Sequence, residues 1–237
     1  MELLVTRAEP QATQTAQRLQ ALGHSVTVAP MLECEVLLVP DEPLHHAGAV
    51  VFTSSRAVEA LTGQPLLDTL IGLPAFTVGD KTAEAAKASG FSDVRSASGT
   101  LEELKTTIKQ AKLQGELMYL AGQERSGDLL GDLEPFGIKG QILEVYRMRA
   151  AASLPDEILL KLRSGVVDGV LLYSLRTAEV FMRCVEHENA TESLNSMIAF
   201  SLSSKCKSVL GAFHHVMVAR TPTESALFDL TLRKSEL

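Results

Sequence analysis

No stretch of this chain is apolar for the ~18–20 residues that a membrane-spanning helix needs, so no transmembrane segment is expected. Cysteine is scarce. Cys34, Cys184 and Cys206 are far apart, odd in number and without CxxC spacing, which argues against a disulfide framework and a zinc site. The opening MELLVTRAEP has neither a basic n-region nor a cleavage site and reads as a first strand, not a signal peptide. A reduced, cytoplasmic protein is the expectation. Basic residues form no run and the formal net charge is −7, which argues against a nucleic-acid partner. An anionic substrate would have to be held by local groups against the global charge. The glycine fingerprint of a dinucleotide site, the phosphate loop GxxxxGK[ST] and the GxSxG elbow are all missing, and Ser54 has no recognisable histidine partner. His45-His46 and His214-His215 are adjacent pairs whose side chains point apart in a strand, with no helical i, i+4 partner, so no metal site is expected.

What is present is ordinary globular material: 237 residues, 46% hydrophobic and 22% charged, enough for one large domain or two small ones. Short apolar strands are expected at Leu3–Thr6, Val26–Pro30, Ala49–Thr53, Ala75–Val78, Val94–Ser96, Leu117–Ala121, Ile142–Arg147, Gly169–Tyr173, Ile198–Leu202 and Val216–Ala219. Helices are expected after Pro10, from Ser55 to Leu61, Lys81 to Ser89, Leu101 to Lys112, near Gly127–Phe136, from about Arg176 to Val185, from Ser203 to about Ala212, and from about Thr223. Strands this apolar, alternating with helices, indicate parallel α/β sheets covered on both faces.

The two halves resemble each other. Phe52-Thr53-Ser54-Ser55-Arg56-Ala57-Val58-Glu59 lines up with Leu172-Tyr173-Ser174-Leu175-Arg176-Thr177-Ala178-Glu179. Gly137 answers Gly23, Ser203 answers Gly79, and Thr100-Leu101-Glu102 resembles Thr221-Pro222-Thr223-Glu224. The period is far too long for a solenoid and indicates two similar α/β domains. Glu33–Pro43, ending in Pro-Asp-Glu-Pro, and Met148–Pro155, rich in small residues, read as crossovers between them. Two crossovers imply an insertion, with residues 1–35 and 150–237 forming an outer domain and 36–149 an inserted one.

In open parallel sheets ligands bind beyond the carboxyl ends of the strands, where helix N-termini present N–H groups and a positive dipole end to anions. Small hydroxyl and glycine residues recur at these places: Thr6-Arg7, Thr53-Ser54-Ser55, Gly79-Asp80-Lys81-Thr82, Gly122-Gln123, Ser174, Ser203-Ser204 and Thr221-Pro222-Thr223. Helix capping accounts for any one of them; their recurrence points to a site for a polyanion. Arg7, Arg56, Lys81, Arg125, Arg147, Arg176, Lys205 and Arg220 stand nearby. Arg7 and Arg176 closely follow strands and are candidates for carboxylate binding, whereas Lys205 and Arg125 read as solvated surface charges. Tyr146, near a strand end beside the second crossover, divides between interfacial packing and function.

At these residues the chain resembles the uroporphyrinogen-III synthase family over nearly its full length. The resembling pieces are Leu4-Val5-Thr6-Arg7 with Pro10, Leu22-Gly23-His24, Phe52 to Val58, Val78-Gly79-Asp80-Lys81-Thr82-Ala83, Tyr119-Leu120-Ala121-Gly122, Val145-Tyr146, Tyr173-Ser174 and Pro222 to Leu227. Each alone is unspecific; their order and spacing are specific. The resemblance implies two flavodoxin-like or Rossmann-like domains joined by a two-stranded β-ladder, with the active-site cleft between them. It implies cyclisation of hydroxymethylbilane, a linear polycarboxylate, with inversion of the last pyrrole and loss of water, and no metal or organic cofactor. It further implies Tyr146 as the catalytic residue, with Arg7, Thr53, Ser54, Ser55, Gly79, Lys81, Thr82, Gly122, Ser174, Arg176, Ser203, Ser204 and Thr223 binding substrate. Where many relatives have a Gly-Pro-Thr-Thr-like turn, this chain has Leu202-Ser203-Ser204-Lys205, which makes that turn a less secure site. A monomer is expected, with no nucleic-acid or membrane partner; a transient contact with hydroxymethylbilane synthase stays open. A non-catalytic two-domain binder of polyanions and a nucleotide-dependent enzyme are the rival readings.

Overall fold

The structure is a computed structural model that describes residues 1–39, 46–125 and 127–232. Pro40–Pro43, the end of the first expected crossover, and His45 lie outside the described residues. The chain divides into two compact units, one of Met1–Cys34 with Arg149–Leu237 and one of Glu35–Met148.

The first unit is built on five parallel strands: β1 (Glu2–Val5), β2 (Ser25–Val28), β9 (Gly169–Leu172), β10 (Ile198–Ser201) and β11 (His215–Val218), in the order β11-β10-β9-β1-β2. Alternation along each strand sends neighbours to opposite faces. Leu4, Val170, Leu172 and Ala199 pack under α7 (Asp156–Arg163) and α8 (Leu175–His187). Leu3, Val5, Leu171 and Phe200 pack under α1 (Gln11–Ala21) and α9 (Glu224–Leu232). Both faces are therefore covered, which is why these strands read as continuous apolar runs.

The second sheet, which lies in the second unit but for the start of β3 and the end of β8, has six strands in the order β3-β8-β7-β4-β5-β6: β3 (Leu32–Val36), β4 (Ala47–Phe52), β5 (Ala75–Thr77), β6 (Val94–Ser96), β7 (Glu116–Gly122) and β8 (Gly140–Ala150). Strands β4 to β8 are mutually parallel. One face packs Val50, Phe52, Met118 and Leu120 under α2 (Ser55–Leu61), α3 (Pro65–Leu70) and α4 (Asp80–Ala88). The other packs Val51, Phe76 and Tyr119 under α5 (Leu101–Gln110) and α6 (Leu129–Leu133). Phe52, fully buried, alone stabilises this core by about 1.5–3 kcal/mol. β3 and β8 run antiparallel as the two chain connections between the units: Leu37 N–H donates to Val145 O at 2.9 Å and Ala151 N–H to Met31 O at 3.0 Å. Arg147 forks onto Glu35 across that ladder, with contacts of 2.9 and 2.8 Å.

The two sheets have the same arrangement under a circular shift of the chain. Reading β2-β1-β9-β10-β11 against β8-β7-β4-β5-β6 places β9 on β4, β10 on β5, β11 on β6 and β1 on β7. These correspondences match the repeats in the sequence. Gly23 and Gly137, which answer each other, both take positive φ (86° and 76°), the conformation that ends a helix most cheaply at glycine.

Three local expectations are corrected. The helix expected from Ser203 is a short 3₁₀ turn, Ser204–Val209, in which Ser203 Oγ accepts from Lys205 N–H and Ser208 Oγ donates to Lys205 O. Serines that bond their own backbone compete with the α-helix. The helix expected near Gly127–Phe136 is α6 and one 3₁₀ turn, because Pro135 has no N–H to continue the ladder. The strand expected at Ile142–Arg147 extends over all of β8.

Candidate functional site

Ligands of doubly wound sheets sit where the chain order of the strands reverses direction. In the first unit that point lies between β1 and β9, in the second between β4 and β7. Each unit gathers its candidate side chains there.

Beyond β1, Thr6 is fully buried and donates its hydroxyl to Leu171 O at 2.7 Å, tying β1 to β9. Arg7 follows. Its guanidinium lies 4.3 Å from the centre of the Tyr173 ring, and its Nη1 donates to Thr15 Oγ1 at 3.2 Å and Glu224 Oε1 at 2.7 Å. The same Glu224 oxygen accepts from Thr15 Oγ1 at 2.6 Å and from the Tyr173 hydroxyl at 2.9 Å, while Arg18 bonds Oε2. Glu224 is the first residue of α9, where the helix dipole favours a carboxylate. Burial raises the Glu224 pKa, but the hydrogen bonds from Thr15 and Tyr173 and the charges of Arg18 and Arg7 outweigh it and hold the carboxyl below its ordinary range. Burial also pushes the Tyr173 phenol up, as does the Glu224 charge, so it stays a neutral donor. Arg7, expected as a substrate ligand, thus has Nη1 committed to an internal carboxylate.

A depressed carboxyl pKa contributes stability that is present above the unfolded value, ordinarily 4.5, and is lost as pH falls through the folded value. Melting temperature should therefore drop from about pH 5 downward, and less steeply in Glu224→Gln, as followed by circular dichroism across a pH series. Parallel curves for the two proteins would exclude Glu224 as the titrating group.

The remaining first-unit candidates are at helix starts. Ser174 Oγ accepts from Thr177 N–H at 3.1 Å, Ser203 Oγ from Lys205 N–H at 3.3 Å and Thr223 Oγ1 from Ala226 N–H at 3.3 Å. Each is a cap; the Ser174 hydroxyl also lies 2.8 Å from Thr177 Oγ1, and the Thr223 hydroxyl 3.2 Å from Thr221 Oγ1. Ser204 is exposed and Arg176 is half-buried in the first turn of α8. A largely apolar hollow of about 580 Å³, lined by Glu9, Pro10, Pro30, Leu32, Glu33 and Cys34, contains none of these residues.

In the second unit Ser54 caps α2, accepting from Arg56 N–H at 3.2 Å, with Ser55 beside it. Gly79 opens α4 without a side-chain cap, and Lys81 in its first turn is exposed. Thr82 is only 6% exposed, facing the core side of α4 with Ala83 and Ala86. At the switch point Thr53 Oγ1 lies 2.8 Å from the Tyr119 hydroxyl. Tyr146 reaches this end of the sheet through an irregularity. Ala121 pairs with Glu144, but Gly122 pairs with Tyr146, so one residue of β8 is skipped. Such bulges re-aim side chains, and Tyr146, expected near a strand end, lies inside β8, which runs on to Ala150. The Tyr146 ring then occupies the space beside Gly122: a Cβ there would stand 2.6 Å from Tyr146 Cζ and 2.9 Å from its Oη. Arg125, expected to be a solvated charge, instead donates to Gly122 O at 2.9 Å and to Glu144 at 2.8 Å.

Tyr119, Tyr173, Thr15, Arg18 and Glu224 had no assigned role in the sequence reading. The available signal was chemical, since a tyrosine in or just after an apolar strand needs a partner for its hydroxyl. Among the described residues no group of three or more His, Cys, Asp or Glu is placed to hold a metal ion.

These features define a two-unit α/β protein whose parallel sheets present hydroxyls, arginines and glycines at their carboxyl ends. A family model described as uroporphyrinogen-III synthase HemD matches residues 13–229. The chain belongs to the uroporphyrinogen-III synthase family. Its structure is similar to uroporphyrinogen-III synthetase from Helicobacter pylori 26695, with 18% identity, TM-score 0.65 and 98% of each chain covered. It is also similar to a mutant uroporphyrinogen III synthase from the extremely thermophilic bacterium Thermus thermophilus, with 16% identity, TM-score 0.57 and coverage of 100% of this chain and 99% of that one. At these identities the likeness shows the shared fold. No curated protein matches the sequence.

Proposed function

We propose that this protein cyclises hydroxymethylbilane to uroporphyrinogen III, inverting the last pyrrole and releasing water. The observation that carries this reading is the family match over residues 13–229, which takes in parts of both units. Loss of water from the terminal hydroxymethyl group would give an azafulvene cation. The far pyrrole would attack it through its substituted carbon, cleavage and reclosure of the spiro intermediate would invert that ring, and loss of a proton would restore the pyrrole. The pyrroles stabilise the cation themselves, so the protein's main contribution is positioning. Hydroxyls at the strand ends, with Ser54, Ser174 and Thr53 foremost, supply donors for carboxylates. Tyr146 is the candidate to give a hydrogen bond or proton to the departing hydroxyl. The same reading takes the protein as a cytoplasmic monomer acting on a small molecule without added cofactor.

Fresh hydroxymethylbilane supplied to the purified protein, followed by oxidation and separation of porphyrin isomers, should yield isomer III without added metal. Isomer I alone, at the spontaneous rate, would refute the reading and leave a non-catalytic binder. Tyr146→Phe should lower kcat more than it raises KM, because the hydroxyl matters as water leaves. The loss should fall at or below the low end of the ~10²–10⁴-fold range of general acids, since the pyrrole carbinol ionises easily without help. Wild-type kcat in a folded Tyr146→Phe protein would remove Tyr146 from the chemistry.

A further inference from the structure

The Thr53–Tyr119 pair lies at the switch point of the second unit, and its two hydroxyls are unequal. Tyr119 is only 4% exposed, in the interior of β7 on the face packed under α5 and α6. Thr53 is half-buried and follows the last residue of β4. Their oxygens are 2.8 Å apart, and either could donate. If Thr53 donated, the Tyr119 hydrogen would need a second acceptor in the core, and among the described residues the bond to Thr53 is the hydrogen bond shown for that hydroxyl. A buried donor without an acceptor is costly, whereas a half-exposed threonine can turn its hydrogen outward. Burial also raises the Tyr119 pKa, so the phenol keeps its proton.

We propose that Tyr119 is a positioning residue: it donates to Thr53 Oγ1 and thereby directs the Thr53 hydroxyl hydrogen toward a carboxylate of the substrate. This rests on the reading given under Proposed function. The polarity matters because an ionised carboxylate only accepts hydrogen bonds. A threonine whose hydrogen was used on Tyr119 would offer it lone pairs alone. A buried tyrosine that holds its neighbour's hydroxyl as a donor keeps that donor ready before the substrate arrives, which lowers the ordering cost of binding. In the corresponding place of the first unit, Tyr173 stands where the second unit has Thr53, and it donates to the internal carboxylate of Glu224 at 2.9 Å. The same point of the sheet thus faces a carboxylate in the unit where the acceptor is visible.

The test is steady-state kinetics with hydroxymethylbilane on wild type, Tyr119→Phe, Thr53→Ala and the double variant, with isomer III as the product read. Tyr119→Phe should raise KM about three- to tenfold, the scale of one hydrogen bond, and change kcat by less than about twofold. In the Thr53→Ala background the same substitution should have no further effect on KM, because the group it orients is gone. An unchanged KM in Tyr119→Phe, or an equal KM increase in both backgrounds, would overturn the proposal. Should Tyr119→Phe fail to fold, Thr53→Val decides: it preserves shape, and a wild-type KM there would show that the hydroxyl binds nothing. Wild-type protein giving isomer I alone would overturn the functional reading and this role with it, whereas isomer III with an unmoved KM in the variants overturns this role alone.

Discussion

Replacing Gly122 with alanine should, on the role proposed for Tyr146, lower the rate of isomer III formation by roughly 10²-fold, the scale of an ångström-level misplacement of a catalytic group. The added Cβ would stand 2.6 Å from Cζ of Tyr146 and 2.9 Å from both its Cε2 and its hydroxyl oxygen, so the ring has to move by about the difference from ordinary contact. The backbone of Gly122 is not in the left-handed region, so the substitution acts through this collision and not through chain strain. Its neighbours oppose relief by a backbone shift: Arg125 donates to the Gly122 carbonyl, and Gln123 N–H donates to Tyr146 O at 2.9 Å. Folding should be nearly intact because the moving group is one half-buried ring of β8, beside the last residue of β7. The control is Tyr146→Ala, in whose background Gly122→Ala should have little further effect. Full activity in Gly122→Ala would mean that the Tyr146 ring position is irrelevant to turnover.

The largest stability effect is expected at Glu224. Glu224→Ala leaves Arg7, Arg18, Thr15 and Tyr173 without the carboxylate they share. Glu224 has a side chain 22% exposed, and Arg18 is half in solvent. The loss should therefore fall below the 3–5 kcal/mol of a fully buried broken pair, at about 1–3 kcal/mol. That corresponds to a melting temperature lower by about 2–10 °C in a chain of this size. The tyrosine loses most, because its hydroxyl is buried enough that water replaces the carboxylate poorly. Glu224→Gln should recover part of the loss, since the amide oxygen still accepts from Thr15 or Tyr173. Thermal unfolding followed by calorimetry checks both variants. An unshifted midpoint for Glu224→Ala would show that solvent satisfies the four donors as well as the carboxylate does.

Much of the fold was legible in the chain. The strands β1, β4, β5, β7, β9 and β10 appear within a residue or two of their expected places, because an apolar run bounded by glycine, proline or a capping hydroxyl is a local property. The hydroxyls of Ser54, Ser174, Ser203 and Thr223 were readable at their helix starts for the same reason, since a cap needs only the backbone a few residues ahead. The internal likeness of Phe52–Glu59 and Leu172–Glu179 reflects β4 and β9, which hold equivalent places in the two sheets. Where polar side chains bonded their own backbone, as after β10, periodicity misled and a 3₁₀ turn replaced the expected helix.

Local pattern alone thus determined which segments are strands, which helix starts carry hydroxyls and which family the order of motifs resembles. Tertiary structure decided which of those groups meet. Glu224 reaches Arg7 across 217 residues, and nothing in the spacing of either marks the other, because the contact exists only once β1 and β11 have taken their places in one sheet. Thr53 finds Tyr119 because β4 pairs with β7 in a register that puts their side chains on the same face. Tyr146 faces Gly122 because the ladder skips one residue, and a skip of one residue moves a side chain to the other face of a sheet. Strand pairing, register and a single bulge are long-range choices made by the packing of two faces at once, so they are written in no window of the sequence short enough to read.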